Sequence, residues 1–181
     1  MSTGQSCTMI EKSLRITSTD INPTLVQPPL DRLAMNDKWD GRFLDLADTV
    51  AQWSKDPRKK VGAVIVDDKK RVVSLGFNGF PRGASDSALI HISRDVKLKQ
   101  IIHAEMNAIL FAKQDLTGCT IYVSPLAPCA QCASVIIQSG ITRVVSRPNR
   151  ENSKWIEHMK LAQANFKDAN VSFEVLDFHS R

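Results

Sequence analysis

The strongest constraint on this chain is a pair of short motifs that must meet in space, His103-Ala104-Glu105 and Pro128-Cys129-Ala130-Gln131-Cys132. Two cysteines three positions apart put both sulfurs on one face of a helix. In the first turn they also feel unpaired N–H groups and the helix dipole, which favour thiolate over thiol. His103 supplies a third ligand from a second helix start. Three protein ligands leave one tetrahedral position open, which separates catalytic zinc from closed structural zinc. Glu105 stands two residues after His103. In a regular helix that spacing points the two side chains to opposite faces, so His103 is expected at or before the first turn. Glu105 is then the candidate catalytic proton shuttle.

Each motif alone has a plainer reading. A lone CxxC is more often structural, a lone His on a helix is more often a satisfied core residue, and a lone Glu is usually at the surface. A closed structural site needs a fourth ligand, and neither Cys119 nor His91 sits in a second CxxC or HxxxH. A redox CxxC is expected to follow an early strand and would leave His103-Ala104-Glu105 unexplained. Together the motifs point to one catalytic zinc per chain, held by His103, Cys129 and Cys132. Cys7 and Cys119 read as ordinary thiols, Cys119 in a buried strand.

Residues 1–36 are polar and Pro-containing (INPTLVQPPL), without clean periodicity, and read as a flexible arm; the domain is expected over 37–181. Trp39, Phe43, Leu46, Ala47, Val50 and Ala51 keep helical spacing, which predicts a helix from Asp37 to about Trp53, capped by Asn36 or Asp37. VGAVIVD and VVSLGFNG around DDKKR predict a hairpin. Further helices are expected over 103–113, 129–138 and 153–166, and strands at CTIYVS, TRVVS and VSFEVLDF. Strands alternating with helices after a hairpin argue a three-layer α/β sheet with parallel crossovers. No apolar run approaches the ~20 residues of a membrane span, and the start lacks the pattern of a secretory leader. A cytoplasmic protein is the expectation.

The two motifs match H-x-E…P-C-x-x-C, the zinc deaminase signature. The sequence further resembles the deoxycytidylate (dCMP) deaminase family over nearly all of 38–147, through SKDP at 54–57, VGAVIV at 61–66, GFNGFPRG at 76–83, HAEMNAI at 103–109 and CAQCASVIIQSGI at 129–141. The resemblance implies the cytidine-deaminase fold, a five-stranded mixed sheet between helices. It implies that Asn78 hydrogen-bonds the sugar or base, that the Ala104 N–H holds the pyrimidine carbonyl, and that groups near Ser54 and Lys55 meet a phosphate. It also implies a homo-oligomer. The plain alternative for Asn78 is a turn residue in FNG. Two departures stand out. The loop before Pro128 reads SPLA, one residue longer than in the family, which bears on pocket width. Residues 84–102 lack the extra Cys/His set of a second zinc.

Charge separates the remaining function classes. The net charge is +5, and the first 36 residues contribute none of it. The excess is either a solvated surface or a sign of a phosphate-bearing substrate, with Lys55, Arg58, Lys59 and Lys60 as the cluster to watch. A nucleic-acid editing deaminase would find support in the pI of about 9.1. Against it, aromatics are only 6% and Tyr122 is the only tyrosine, which leaves few stacking platforms for a single strand. The expected activity is therefore hydrolytic removal of the amine of dCMP. Another cytosine-type nucleoside, nucleotide or modified base is the alternative, and a non-catalytic zinc domain is disfavoured because Glu105 and all three ligands are present.

Overall fold

The computed structural model describes residues 30–84, 93–148 and 153–177; Cys7 and His91 lie outside them. Five strands form one sheet: β1 (Gly62–Val66), β2 (Val72–Phe77), β3 (Thr120–Ser124), β4 (Arg143–Ser146) and β5 (Ser172–Val175). Their order is β2-β1-β3-β4-β5. β1 runs antiparallel to both β2 and β3, while β3, β4 and β5 are parallel. The sheet is thus mixed and five-stranded, as the resemblance implies. β1 is buried at all five positions. A strand covered on both faces has no polar side to alternate, which is why VGAVIV reads as a continuous apolar run.

Among the described residues there are five helices, of which all but the second pack on it: α1 (Leu30–Ala51), α2 (Arg94–Gln100), α3 (Ala104–Ala112), α4 (Ala130–Gln138) and α5 (Ser153–Asp168). Strand pleating sorts the core. Val64, Val66, Tyr122 and Val145 face α1, where Phe43, Leu44, Ala47 and Val50 cover them. Ala63, Ile65, Ile121, Val123 and Val144 face the other way, onto Ala104 and Ala108 of α3, Ala133 and Ile136 of α4, and Ala162 and Phe166 of α5. These are the three layers. Two glycines let the layers close. A Cβ on Gly62 would stand 2.1 Å from the Ala47 oxygen, and one on Gly76 would stand 2.3 Å from the Ala104 oxygen. Ordinary carbon contacts need about 3.5 Å.

Two expectations are corrected. The first helix begins at Leu30 and not near Asp37, so Asn36 and Asp37 lie inside it and cannot cap it; it reaches back into the segment read as an arm. The helix α2 was not foreseen. Of its side chains whose burial is described, only Lys97 is buried, so no apolar stripe announces it. No helix among the described residues is long and apolar enough to cross a membrane.

Candidate active site

β2 is antiparallel to β1, as β3 is, so the carboxyl ends of β2 and β3 lie on the same edge of the sheet. The chain leaves β3 through Pro125–Pro128 and enters α4 there. Ile102 exchanges two backbone hydrogen bonds with Gly79, just past β2 (3.1 and 2.9 Å), and so brings the start of α3 to the same edge. Two helix N-termini converge there, where α/β sheets bind ligands.

His103 is the N-cap of α3, with extended backbone (φ −71, ψ 156). It is therefore not yet helical, and its side chain can share a site with Glu105. Cys129 is the N-cap of α4 (φ −78, ψ 170), so the helix starts one position later than predicted, and Cys132 lies in the first turn. The Cys132 N–H points at Cys129 Sγ at 3.5 Å. His103 Nδ1 lies 3.2 Å from Cys132 Sγ and 3.6 Å from Cys129 Sγ. Donor atoms of all three residues fall within 4.8 Å of one another. Neighbouring N and S ligands on tetrahedral zinc, with bonds of about 2.05 and 2.3 Å, stand about 3.6 Å apart. The set fits zinc.

The electrostatics agree. Cys129 is drawn down to about 4, first by the hydrogen bond from the Cys132 thiol and further by His103, with burial opposing. Cys132 is pushed up, by that same bond and by burial. His103 is raised, chiefly by its bond to Cys129. The three groups share their protons with one another, and a dication held there would take the place of a thiol proton. Glu105 is 4% exposed. Burial lifts its carboxyl above the usual range, with the His103 charge opposing. Its carboxyl interacts electrostatically with His103, Cys129 and Cys132, which places it beside the ligand cluster. Ala104 is fully buried as the first residue of α3, so its N–H has no acceptor within the helix. Asn107 donates to the Phe77 carbonyl at 2.7 Å and ties α3 to the end of β2.

The remaining predicted contacts are placed differently. Asn78 is buried, and its amide is engaged within the chain. Its Oδ1 accepts from the Val61 N–H (2.8 Å), and its Nδ2 donates to the Lys59 carbonyl (2.8 Å) and towards Asp56 (3.5 Å). Only an Oδ1 lone pair remains for a ligand. Ser54 is buried too. Its hydroxyl donates to the Asn78 carbonyl (2.8 Å) and accepts from the Asp56 N–H (3.2 Å). A spent donor cannot also hold a phosphate oxygen, so Ser54 is a strut of the loop. Lys55 is exposed on that loop. Lys60 donates to the Gln52 carbonyl at 3.3 Å.

The sequence reading missed Lys97. Its Nζ meets both oxygens of Asp56, at 3.0 and 2.8 Å. Nothing local marks it, since Val96 and Leu98 beside it are the exposed residues. Asp56 precedes Pro57, and Asp-Pro signals a turn; its ion pair gave no signal.

The cytidine and deoxycytidylate deaminase zinc-binding region matches residues 37–147, and the chain belongs to that family. It is a zinc-dependent deaminase, a hydrolase. It is 48% identical over 139 residues to a deaminase of the luxG 3' region of Aliivibrio fischeri, covering 76% of this chain and 92% of that one. It is 37% identical over 158 residues to the deoxycytidylate deaminase of Mus musculus, covering 79% and 87%. The dCMP deaminase of cyanophage S-TIM5, solved with dCMP and dUMP, superposes with a TM-score of 0.58 at 22% identity, covering 83% of this chain and 99% of that one. At that identity it speaks for the fold alone.

Proposed function

We propose that this chain hydrolyses the 4-amino group of dCMP, giving dUMP and ammonia. The observation that carries the chemistry is Glu105, buried and in electrostatic contact with the His103, Cys129 and Cys132 cluster. Zinc, when bound there, supplies a Lewis acid that lowers the pKa of water to about 7. Glu105 accepts a proton from the attacking water and delivers it to the ring nitrogen N3. It then carries the next proton to the departing amine. The buried start of α3 lets the Ala104 N–H hold the 2-carbonyl and orient the ring.

The choice of dCMP rests on the relatives. Proteins named deoxycytidylate deaminase in Mus musculus and Homo sapiens are 37% and 35% identical to this chain over 158 residues. The exposed cations of the 55–60 loop, Lys55 and Arg58 foremost, suit the phosphate. A charge-assisted bond is worth about twice a neutral one. Steady-state kinetics on dCMP and deoxycytidine test the assignment. Loss of the phosphate is expected to lower kcat/KM about 10²-fold. Equal values would sink dCMP as the substrate and leave the deaminase standing.

A homo-oligomer belongs to the same reading. Leu110 and Phe111 on α3 are 63% and 52% exposed, unusual for large apolar groups on the helix that carries the site. Light scattering on the purified chain tests it, and a monomer at micromolar concentration would refute it. A cytoplasmic location is in keeping with the three described cysteines, all of them free.

A further inference from the structure

The burial order of α2 is inverted. Val96 and Leu98 face solvent at 42% and 53% exposure, while Lys97 between them is 7% exposed. A lysine is almost never buried unless paired, and this one reaches Asp56, itself 1% exposed. Asp56 is the hub of its loop. One of its oxygens takes the N–H groups of Arg58 (2.8 Å) and Lys59 (3.2 Å). The other accepts weakly from Asn78 (3.5 Å). Asn78 in turn holds Lys59 and Val61. Ser54 and Asn78 join the start of this loop to the end of β2.

On its other side Lys97 leads directly to the metal site. The Ile101 N–H donates to the Lys97 carbonyl (2.9 Å), Ile102 pairs with Gly79, and His103 follows as the N-cap of α3. One ion pair thus joins the basic loop to the segment that delivers a ligand. The ligands themselves are held by other means, the two helix caps and the core under α3 and α4. Loosening the pair should therefore displace the loop more than the reacting centre.

We propose that Lys97 and Asp56 are a positioning pair, which holds the 56–61 loop in register with the His103 segment and so sets substrate affinity. The lowered pKa of Asp56 agrees: burial pushes it up, and the Lys97 bond with the Arg58 and Lys59 N–H groups more than reverses that. The proposal rests on the deaminase reading above but not on the choice of dCMP.

The test uses the full chain, its preferred substrate, and three variants: Lys97→Met, Lys97→Arg and the double Asp56→Asn/Lys97→Met. Lys97→Met is expected to keep about one zinc per chain by elemental analysis. Its KM should rise about tenfold, with kcat within about threefold, since displacements of about 1 Å cost up to 10²-fold. Lys97→Arg should restore most of the affinity. The double variant leaves no uncompensated buried charge, so it folds even if Lys97→Met does not, and the same rise in KM is expected. An unchanged KM in a folded variant, whatever its melting temperature, overturns the proposal and leaves the pair a stabilising contact. Should deoxycytidine prove as good a substrate as dCMP, the substrate assignment fails, and the same KM comparison on deoxycytidine still decides the role of the pair.

Discussion

On the α1 face of the sheet, Asp40 receives the Tyr122 hydroxyl at 2.7 Å and two Arg143 nitrogens at 2.9 and 2.7 Å. The other side of that guanidinium is held by Glu174, at 2.8 and 2.9 Å. Each charge meets its complement within the chain. On the α3 and α4 face, His103, Cys129 and Cys132 bring their donor atoms within 4.8 Å of one another, and a bound cation is their complement. Polar burial therefore serves two ends here. The first cluster fixes where α1 lies on the sheet, whereas the second holds a binding capacity ready. Closure on the α1 face is local: Arg147, just beyond β4, leaves Nε and Nη1 without partners among the described residues.

The comparison is broken most forcefully at Glu105. Glu105→Gln keeps the shape and the zinc but cannot shuttle protons, so turnover should fall by at least about 10²-fold. Near-normal turnover with zinc retained would end the proposed mechanism. Cys129→Ser should lose zinc by elemental analysis and lower the melting temperature, because metal binding is coupled to folding. Asp40→Asn should do the reverse: zinc and kcat are kept, and stability falls by about 2 kcal/mol in denaturant titrations. That is below the ~3–5 kcal/mol of a fully buried broken pair, because Arg143 keeps Glu174 and some solvent.

A pH experiment sharpens the contrast. Burial and the bond to Asp40 raise the pKa of Tyr122 above its ordinary 10.0. A folded-state pKa above the unfolded one gives stability that is fully present below about pH 10 and is lost as pH rises beyond it. Tyr122 is the only tyrosine, so tyrosinate absorbance reports it alone. Ionisation near 10 in the folded protein would contradict its burial. Tyr122→Phe should cost about 1 kcal/mol at neutral pH and flatten the alkaline loss of stability. The smallest effect is expected from deleting residues 1–29, ahead of α1. Zinc content and melting temperature should not change, and an insoluble product would show that this segment contributes to the core.

The ligand cluster was legible in the sequence because its parts are local. Cys129 and Cys132 share one turn, and the two-residue step from His103 to Glu105 demanded a non-helical His. The two pairing networks were not legible. Asp56 and Lys97 lie 41 positions apart, Asp40 and Tyr122 82, and Asp40 and Arg143 103. Such partners leave no local pattern, and only the assembled sheet selects them among the chain's many charges. Ser54 and Asn78 were recognised as belonging near the site, but the loop absorbs most of the hydrogen bonding that a ligand was expected to use. Helix α2 escaped notice because its buried side chain is a lysine.

Gly76 has a consequence for anyone altering this enzyme. Only a Cα hydrogen stands between β2 here and the first turns of α3, so the height of His103 and Glu105 above the sheet is set by a missing methyl group. Substituting alanine would add no charge and remove no hydrogen-bonding group, yet α3 would have to rise by about 1 Å to regain ordinary contact. The catalytic helix is thus gauged from below, by a residue that never meets the substrate. Engineering confined to the pocket walls leaves that gauge untouched, and a screen for functional groups would pass over it.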